Sequence, residues 1–351
     1  MRRGLISWSR SELPDAVFTM RIAQTQAAMT ADGIDALVVY TNIARSAGAS
    51  WLTGFVPYWS EGLLVLPRAG RPVLFVALSK RVQGWIERTS AVEAVTCTPR
   101  FAQEAAAFVA AANPAARIGV LELDTLPTGT ASALTGEGGT LVDATALYER
   151  LRAAADPAEI ALTVRAAEIA RDAAGALDAG APNVAAVIAA VDGAARLAGA
   201  EDVFVAVAAD LARGAAFART PFVDGTLGAT FAVRTTLAYK GHWVRSVRTI
   251  ARTAAGAEAL RLANERFADA VARLPDTSAL AAAEQWLIEG TLRSEPLEAF
   301  AGSTIERPAW NLDGKLVSIT AVYVVNGERV AVGGVAVVGS AWRPSALLVS
   351  L

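Results

Sequence analysis

The chain has 351 residues, 54% of them hydrophobic and 19% charged, with a formal net charge of −2. That excludes a disordered polymer and any general attraction to nucleic acid or anionic membrane. It leaves room for two domains with sizeable cores. A single cysteine, Cys97, excludes an internal disulfide and makes a cytoplasmic location the expectation, and a single histidine, His242, excludes a zinc site built on several histidines.

Residues 1–19 read as a leader of mixed character, without the apolar run or small-residue cleavage site of a signal peptide. A helix is expected from Arg21 to Ala31, ended by Asp32-Gly33, then a short buried strand from Asp35 to Tyr40. Strands at Gly62–Pro67 and Arg71–Ala77 are joined by the turn Arg68-Ala69-Gly70. Helices at Arg81–Arg88 and Phe101–Ala111 and a strand at Arg117–Leu121 complete an alternating α/β pattern. Residues 124–140 carry Pro, Gly and Thr and read as loop with room for one helical turn. Cys97 has no histidine beside it in sequence and reads as inert.

A second domain is expected over residues 151–351, after an α/β domain over 20–150. Asp156, Pro157 and Glu159 form a helix-start signature, followed by Ile160, Val164, Ala167, Ala170, Ala174 and Leu177 at helical spacing. Another helix is expected near Val184–Ala198, where Asp192 breaks the apolar run that a membrane span would need. A strand at 203–209 precedes two strands within 227–250 that turn at Lys240-Gly241. Helices are expected at Glu258–Arg273 and at Ser278–Leu292. The strands Leu316–Val325 and Arg329–Val338 are joined by Asn326-Gly327, a strong hairpin signal. Strand alternation puts Trp243, Arg245, Val247 and Thr249 on one face and His242, Val244, Ser246, Arg248 and Ile250 on the other. No Gly-x-Ser-x-Gly elbow, Walker A loop or Gly-x-Gly-x-x-Gly turn occurs.

Three passages carry a resemblance. Ile34-Asp-Ala-Leu-Val-Val followed by Trp51-Leu-Thr-Gly-Phe55 is similar to the N-terminal domain of creatinases and prolidases. The stretch 231–250, FAVRTTLAYKGHWVRSVRTI, resembles the central metal-binding hairpin of the creatinase, prolidase and methionine aminopeptidase family. Leu312-Asp-Gly314-Lys-Leu-Val-Ser-Ile319 resembles that family's later hairpin. The resemblance implies a creatinase-like α/β domain followed by a pita-bread α+β domain. In that family two aspartates, a histidine and two glutamates hold two metals. The aspartates would fall at Arg234 and Arg245, and the glutamates at Thr320 and near Gly333. The histidine-rich loop is reduced to Ala301–Trp310, which contains no histidine. Arginine does not shed its proton to become a ligand, so no metal, no other cofactor and no metal-dependent peptidase activity are expected.

The expected ligand-binding residues are Arg234, Arg245, Thr320, Trp51, Tyr58 and Trp59. The two arginines form an anion site, for instance for a carboxylate held bidentately. Alternatively, each pairs with a nearby acidic side chain and fills the vacated cavity. Glu306 and Glu328 could approach the cleft mouth, or balance an arginine. Trp51, Tyr58 and Trp59 line a pocket or an interface, with a plain core explaining some of them. His242 is a weak candidate for a general base because it shares the face of Arg248. The expected function is a catalytically degenerate, metal-free protein acting in ligand binding or assembly. The alternative is a metal-independent hydrolase or lyase for a C–N bond of a small amidino, amide or carboxylate substrate. Expected partners are a second copy of the chain, an active paralogue or a small anion, with no nucleic acid and no membrane.

Overall fold

The computed structural model describes residues 9–43, 45–57, 59–219, 225–290, 312–339 and 344–350. By internal contacts the described chain divides into two compact units, one up to Ala153 and the other from Ala154 onward.

The first unit runs α1 (Asp15–Ala31), β1 (Ala36–Asn42), α2 (Ala47–Thr53), β2 (Glu61–Pro67), β3 (Val73–Val76) and α3 (Gln83–Thr89). It continues β4 (Ala94–Cys97), α4 (Phe101–Ala112), β5 (Arg117–Leu121), α5 (Thr128–Gly136), β6 (Thr140–Asp143) and α6 (Thr145–Leu151). Among the described residues six strands form one sheet in the order β4-β3-β2-β1-β5-β6. β1 is parallel to β5 and antiparallel to β2. The runs Leu37-Val38-Val39 and Leu63-Leu64-Val65-Leu66 are buried throughout, as strands covered on both faces must be. Helices α4 and α5 cover one face through Ala105, Val109 and Leu134.

Two expectations change here. The expected leader ends earlier, because α1 starts at Asp15 behind an extended Pro14. A carboxylate in the first turn and a proline ahead of it both favour that start. The expected loop over 124–140 holds the helix α5. Its Gly and Thr content is poor for a helix, but burial of Leu134 in the core overrides local preference.

The second unit runs α7 (Pro157–Gly175), α8 (Val184–Leu197), β7 (Asp202–Ala208), β8 (Thr230–Tyr239), β9 (His242–Ala251) and α9 (Ala254–Ala272). It continues β10 (Gln285–Glu289), β11 (Leu316–Val325), β12 (Glu328–Val337) and β13 (Ala346–Leu347). The described strands form an antiparallel sheet ordered β10-β11-β12-β9-β8-β7, with β13 beside β12. Both hairpin turns use left-handed residue pairs, Lys240 (φ 48°) with Gly241 (φ 79°) and Asn326 (φ 52°) with Gly327 (φ 81°). Asp156 accepts from the backbone of Ala158 and Glu159, and Glu159 accepts from the backbone N–H of Asp156, so α7 begins in a capping box.

The buried residues of α7 are Glu159, Leu162, Thr163, Ala166, Ala167, Ile169, Ala170, Ala173 and Ala174, while Ile160 and Val164 are half-buried. The alanines bring the helix close to β8 and β9, with Leu162 and Ile169 buried among them. The expected helix at Ser278–Leu292 is absent. In its place stand a short 3-10 turn, Ser278–Ala282, and strand β10. β10 pairs with β11 from Gln285↔Val322 to Glu289↔Ser318, and Ile288 reaches the core beside α9. No helix among the described residues is long and apolar enough to cross a membrane.

Candidate functional site

Side-chain alternation divides the sheet of the second unit into two faces. Val203, Val205, Val207, Phe231, Val233 and Val244 pack with α7 and α8. Val317, Ile319, Ala321, Val330 and Val332 pack with α9. The opposite face carries Ala208, Ala232, Val247 and Ala331, with Phe217 against them.

Across that second face the register aligns Ala206 (β7), Arg234 (β8), Val247 (β9), Gly333 (β12), Thr320 (β11) and Leu287 (β10) in one row. Thr236 and Arg245 form the next pair along β8 and β9. Arg234 and Arg245 are therefore diagonal neighbours, a placement that puts backbones roughly 7–8 Å apart. Thr320 and Gly333 lie on the same face, opposite one another. The structure thus brings together all four positions that the resemblance assigns to carboxylate ligands.

Their chemistry differs from a metal site. Arg245 is 1% exposed, and its Nη1 donates to Glu289 Oε1. Its Nε donates to Thr236 Oγ1 at 2.9 Å, and its backbone N–H donates to Ser318 Oγ at 2.9 Å. Glu289 is itself 4% exposed. A buried guanidinium is tolerable only with such a set of partners. Arg234 is half-buried, with its guanidinium 5.1 Å from the centre of the Phe217 ring. Arg219 lies 4.2 Å over Phe204, which stacks on Trp243 at 5.8 Å.

The seam between β9 and β12 has a further property. Among the described residues one register pair, Gly333↔Val247, joins these strands. On one side of it the Thr249 hydroxyl donates to the Ala331 carbonyl at 2.6 Å and accepts from the Ala331 N–H at 2.9 Å. On the other side the Arg245 contacts with Ser318 and Glu289 close the opening. The ion pair therefore joins the two halves of the sheet.

Fit to a metal can be tested on these contacts. A cationic side chain fills the position, and the one buried carboxylate beside it is engaged by that cation. Among the described residues no group of three or more His, Cys, Asp or Glu side chains could hold a metal ion. These residues do not fit the two-metal set.

The remaining expected site residues scatter. His242 lies on the helix-covered side, its Nδ1 3.5 Å from Thr163 Oγ1 of α7, so it faces away from Arg234 and Arg245. Trp51 sits in the first unit and is 5% exposed rather than lining an open pocket. Its ring meets Tyr148 edge-on at 5.3 Å, and the guanidinium groups of Arg21 and Arg152 lie 5.1 and 5.7 Å from it. Burial of the aromatic body with cations on its faces makes it core. Trp59 is exposed at 62%. Tyr58, Glu306 and the segment Ala301–Trp310 lie outside the described residues. Glu328 opens β12 directly after the hairpin turn, opposite Val325.

Sequence reasoning missed Glu289 because the segment read as helix. The available signal was Trp286 and Ile288 alternating in a short stretch ahead of Gly290. The aromatic partners Phe204 and Phe217 were also missed, since cation–π contacts across a sheet have no sequence spacing.

Residues 21–154 match the Creatinase/Prolidase N-terminal domain family. The chain is similar in structure to dipeptidase PepE from Mycobacterium ulcerans, with 20% identity, TM-score 0.62, and coverage of 95% of this chain and 96% of that one. It is similar to the prolidase from Pyrococcus horikoshii OT3 at 17% identity and TM-score 0.66, covering 94% and 97%. It is similar to the X-Pro aminopeptidase from Thermotoga maritima MSB8 at 14% identity and TM-score 0.70, covering 94% and 97%. At these identities the structural likeness establishes the fold. No curated protein matches the sequence.

Proposed function

We propose that this protein, which has a creatinase/prolidase N-terminal domain and the pita-bread fold of the prolidase-like family, is a metal-free, catalytically degenerate member that binds a small anion. The anion sits beside Arg234, on the face of the C-terminal sheet that carries Arg234 and Arg245. The observation that carries this reading is the buried Arg245–Glu289 pair, seated where carboxylate ligands from two hairpins would meet. A cation held there repels a second cation and engages the buried carboxylate of Glu289 beside it. Arg234 and Arg219, each placed over an aromatic ring, supply guanidinium groups that suit a carboxylate with an aromatic body. His242, on the helix side, is not used.

The test is elemental analysis after incubation with manganese, cobalt and zinc, followed by dialysis, together with an Xaa-Pro dipeptide hydrolysis assay. Neither stoichiometric metal nor hydrolysis is expected. Calorimetric titration with benzoate and hippurate should show binding that weakens about tenfold or more in Arg234→Gln, the scale of one lost charged hydrogen bond. Stoichiometric metal with hydrolysis would overturn the reading, as would an Arg234→Gln variant with unchanged anion affinity.

For assembly, the exposed Trp59 supports a self-associated form. Light scattering at micromolar concentration should show a dimer, and Trp59→Ser should shift it toward monomer. A monomeric wild type removes this part of the proposal.

A further inference from the structure

The helix-covered side of the same sheet holds a cavity of about 120 Å³. It lies between α7 and α9, behind the Val247–Gly333 bridge where the ladder between β9 and β12 is interrupted. Its apolar lining includes Ala167 and Ala174 from α7, Leu260 from α9, Val332 from β12 and Val349 from the C-terminal segment. Its polar lining includes Ser246, Arg248, Arg171 and Asn264. Strand alternation sends Ser246 and Arg248 to this side, away from Arg234 and Arg245.

The charge at the cavity has a definite sign. Arg171 is matched by Asp172, at 2.7 Å. Nearby Glu168 is matched by Arg165 at 3.4 Å. Arg248 is exposed and makes no ion pair or hydrogen bond among the described residues. Its Nη1 is 3.5 Å from the Cβ position of Gly175, the last residue of α7. The negative end of a helix offsets a cation only in part. One solvated guanidinium therefore stands at the rim of an apolar chamber, within reach of a bound anion.

We propose that this cavity is a second binding site, for a short aliphatic carboxylate. The carboxylate pairs with Arg248, and Ser246 and Asn264 offer further hydrogen bonds. The hydrocarbon lies against Ala167, Leu260, Val332 and Val349. Size limits the class: an apolar cavity of about 150 Å³ accommodates benzene, so a compact branched chain fits and a fatty acid does not. The site is independent of the anion site proposed on the opposite face, because the two draw on guanidinium groups from opposite sides of the sheet.

The experiment is calorimetric titration of the full chain with sodium isovalerate, with acetate and isopentanol as controls for headgroup and body alone. Isovalerate should bind, and both controls should bind about tenfold or more weakly, since each lacks half of the contact set. Arg248→Gln should weaken isovalerate about tenfold or more. Ser246→Leu, which fills the chamber from a half-buried strand position, should abolish binding while the circular dichroism spectrum is kept. Arg234→Gln should leave it unchanged. No isovalerate binding by the wild type overturns the proposal, as does full affinity in Arg248→Gln or Ser246→Leu. Loss in Arg234→Gln alone would assign the binding to the opposite face.

Discussion

Arg245 on β9 is hydrogen-bonded to Glu289 on β10, two strands that are not neighbours in the sheet, and both side chains are almost fully buried. The pair connects the β7–β9 half of the sheet to the β10–β12 half, beside the single described bridge between them.

Removing one partner leaves a buried charge alone. Glu289→Leu and Arg245→Met should each destabilise the C-terminal unit by about 3–5 kcal/mol. The double replacement Arg245→Met with Glu289→Leu should recover most of that, because it removes both desolvation costs. Urea unfolding of the two single variants and the double variant measures the coupling. Additive losses would show that the pair is not the unit that holds the seam.

Gly333 is as constrained as the pair. A Cβ there would lie 2.8 Å from the Ile319 carbonyl oxygen and 3.1 Å from Val247 Cβ, with Thr320 Oγ1 at 3.2 Å. Gly333→Ala should cost about 1–3 kcal/mol through overpacking, and Gly333→Glu more. A carboxylate at this position is thus opposed by the backbone. Thermal unfolding checks the order wild type, alanine, glutamate.

Trp51 tests whether the aromatic segment is core. Trp51→Ala should destabilise the N-terminal unit by about 3–5 kcal/mol, the range for emptying a buried aromatic site. Anion affinity of the C-terminal unit should not change. The measurements are urea unfolding followed by circular dichroism, and the benzoate titration described above. A fully stable Trp51→Ala variant would show that its burial contributes little.

Cys97 provides a pH test. Burial raises its thiol pKa above the ordinary value, with Glu87 adding to the shift and Lys80 opposing it. For a group raised in the folded state, the stabilisation is complete below the unfolded pKa and is lost as pH rises through the folded one. Native protein should therefore react slowly with a thiol reagent at about pH 8, and quickly in urea. Urea stability should fall as pH rises above the ordinary thiol range of about 8.5, less steeply in Cys97→Ala. Tyr40 and Tyr323, also raised by burial, add to the loss only above about pH 10.

Local rules made much of the architecture legible. The α7 capping box and the Asn326-Gly327 turn rest on contacts within a few residues, so spacing alone identifies them. The shared face of Arg234 and Arg245 follows from period-two alternation once the hairpin is recognised. Tertiary structure decided the rest. The segment at Gln285–Glu289 has no residue that forbids a helix; pairing with β11 makes it a strand, and only then does Glu289 reach Arg245. Trp51 looked available because nothing in its own segment reveals Arg21, Tyr148 and Arg152 closing over it. Sequence by itself determined which side chains are cations and which strands carry them. Whether a cation is matched by a carboxylate or left facing a cavity depends on residues dozens of positions away, and chain folding alone brings those together.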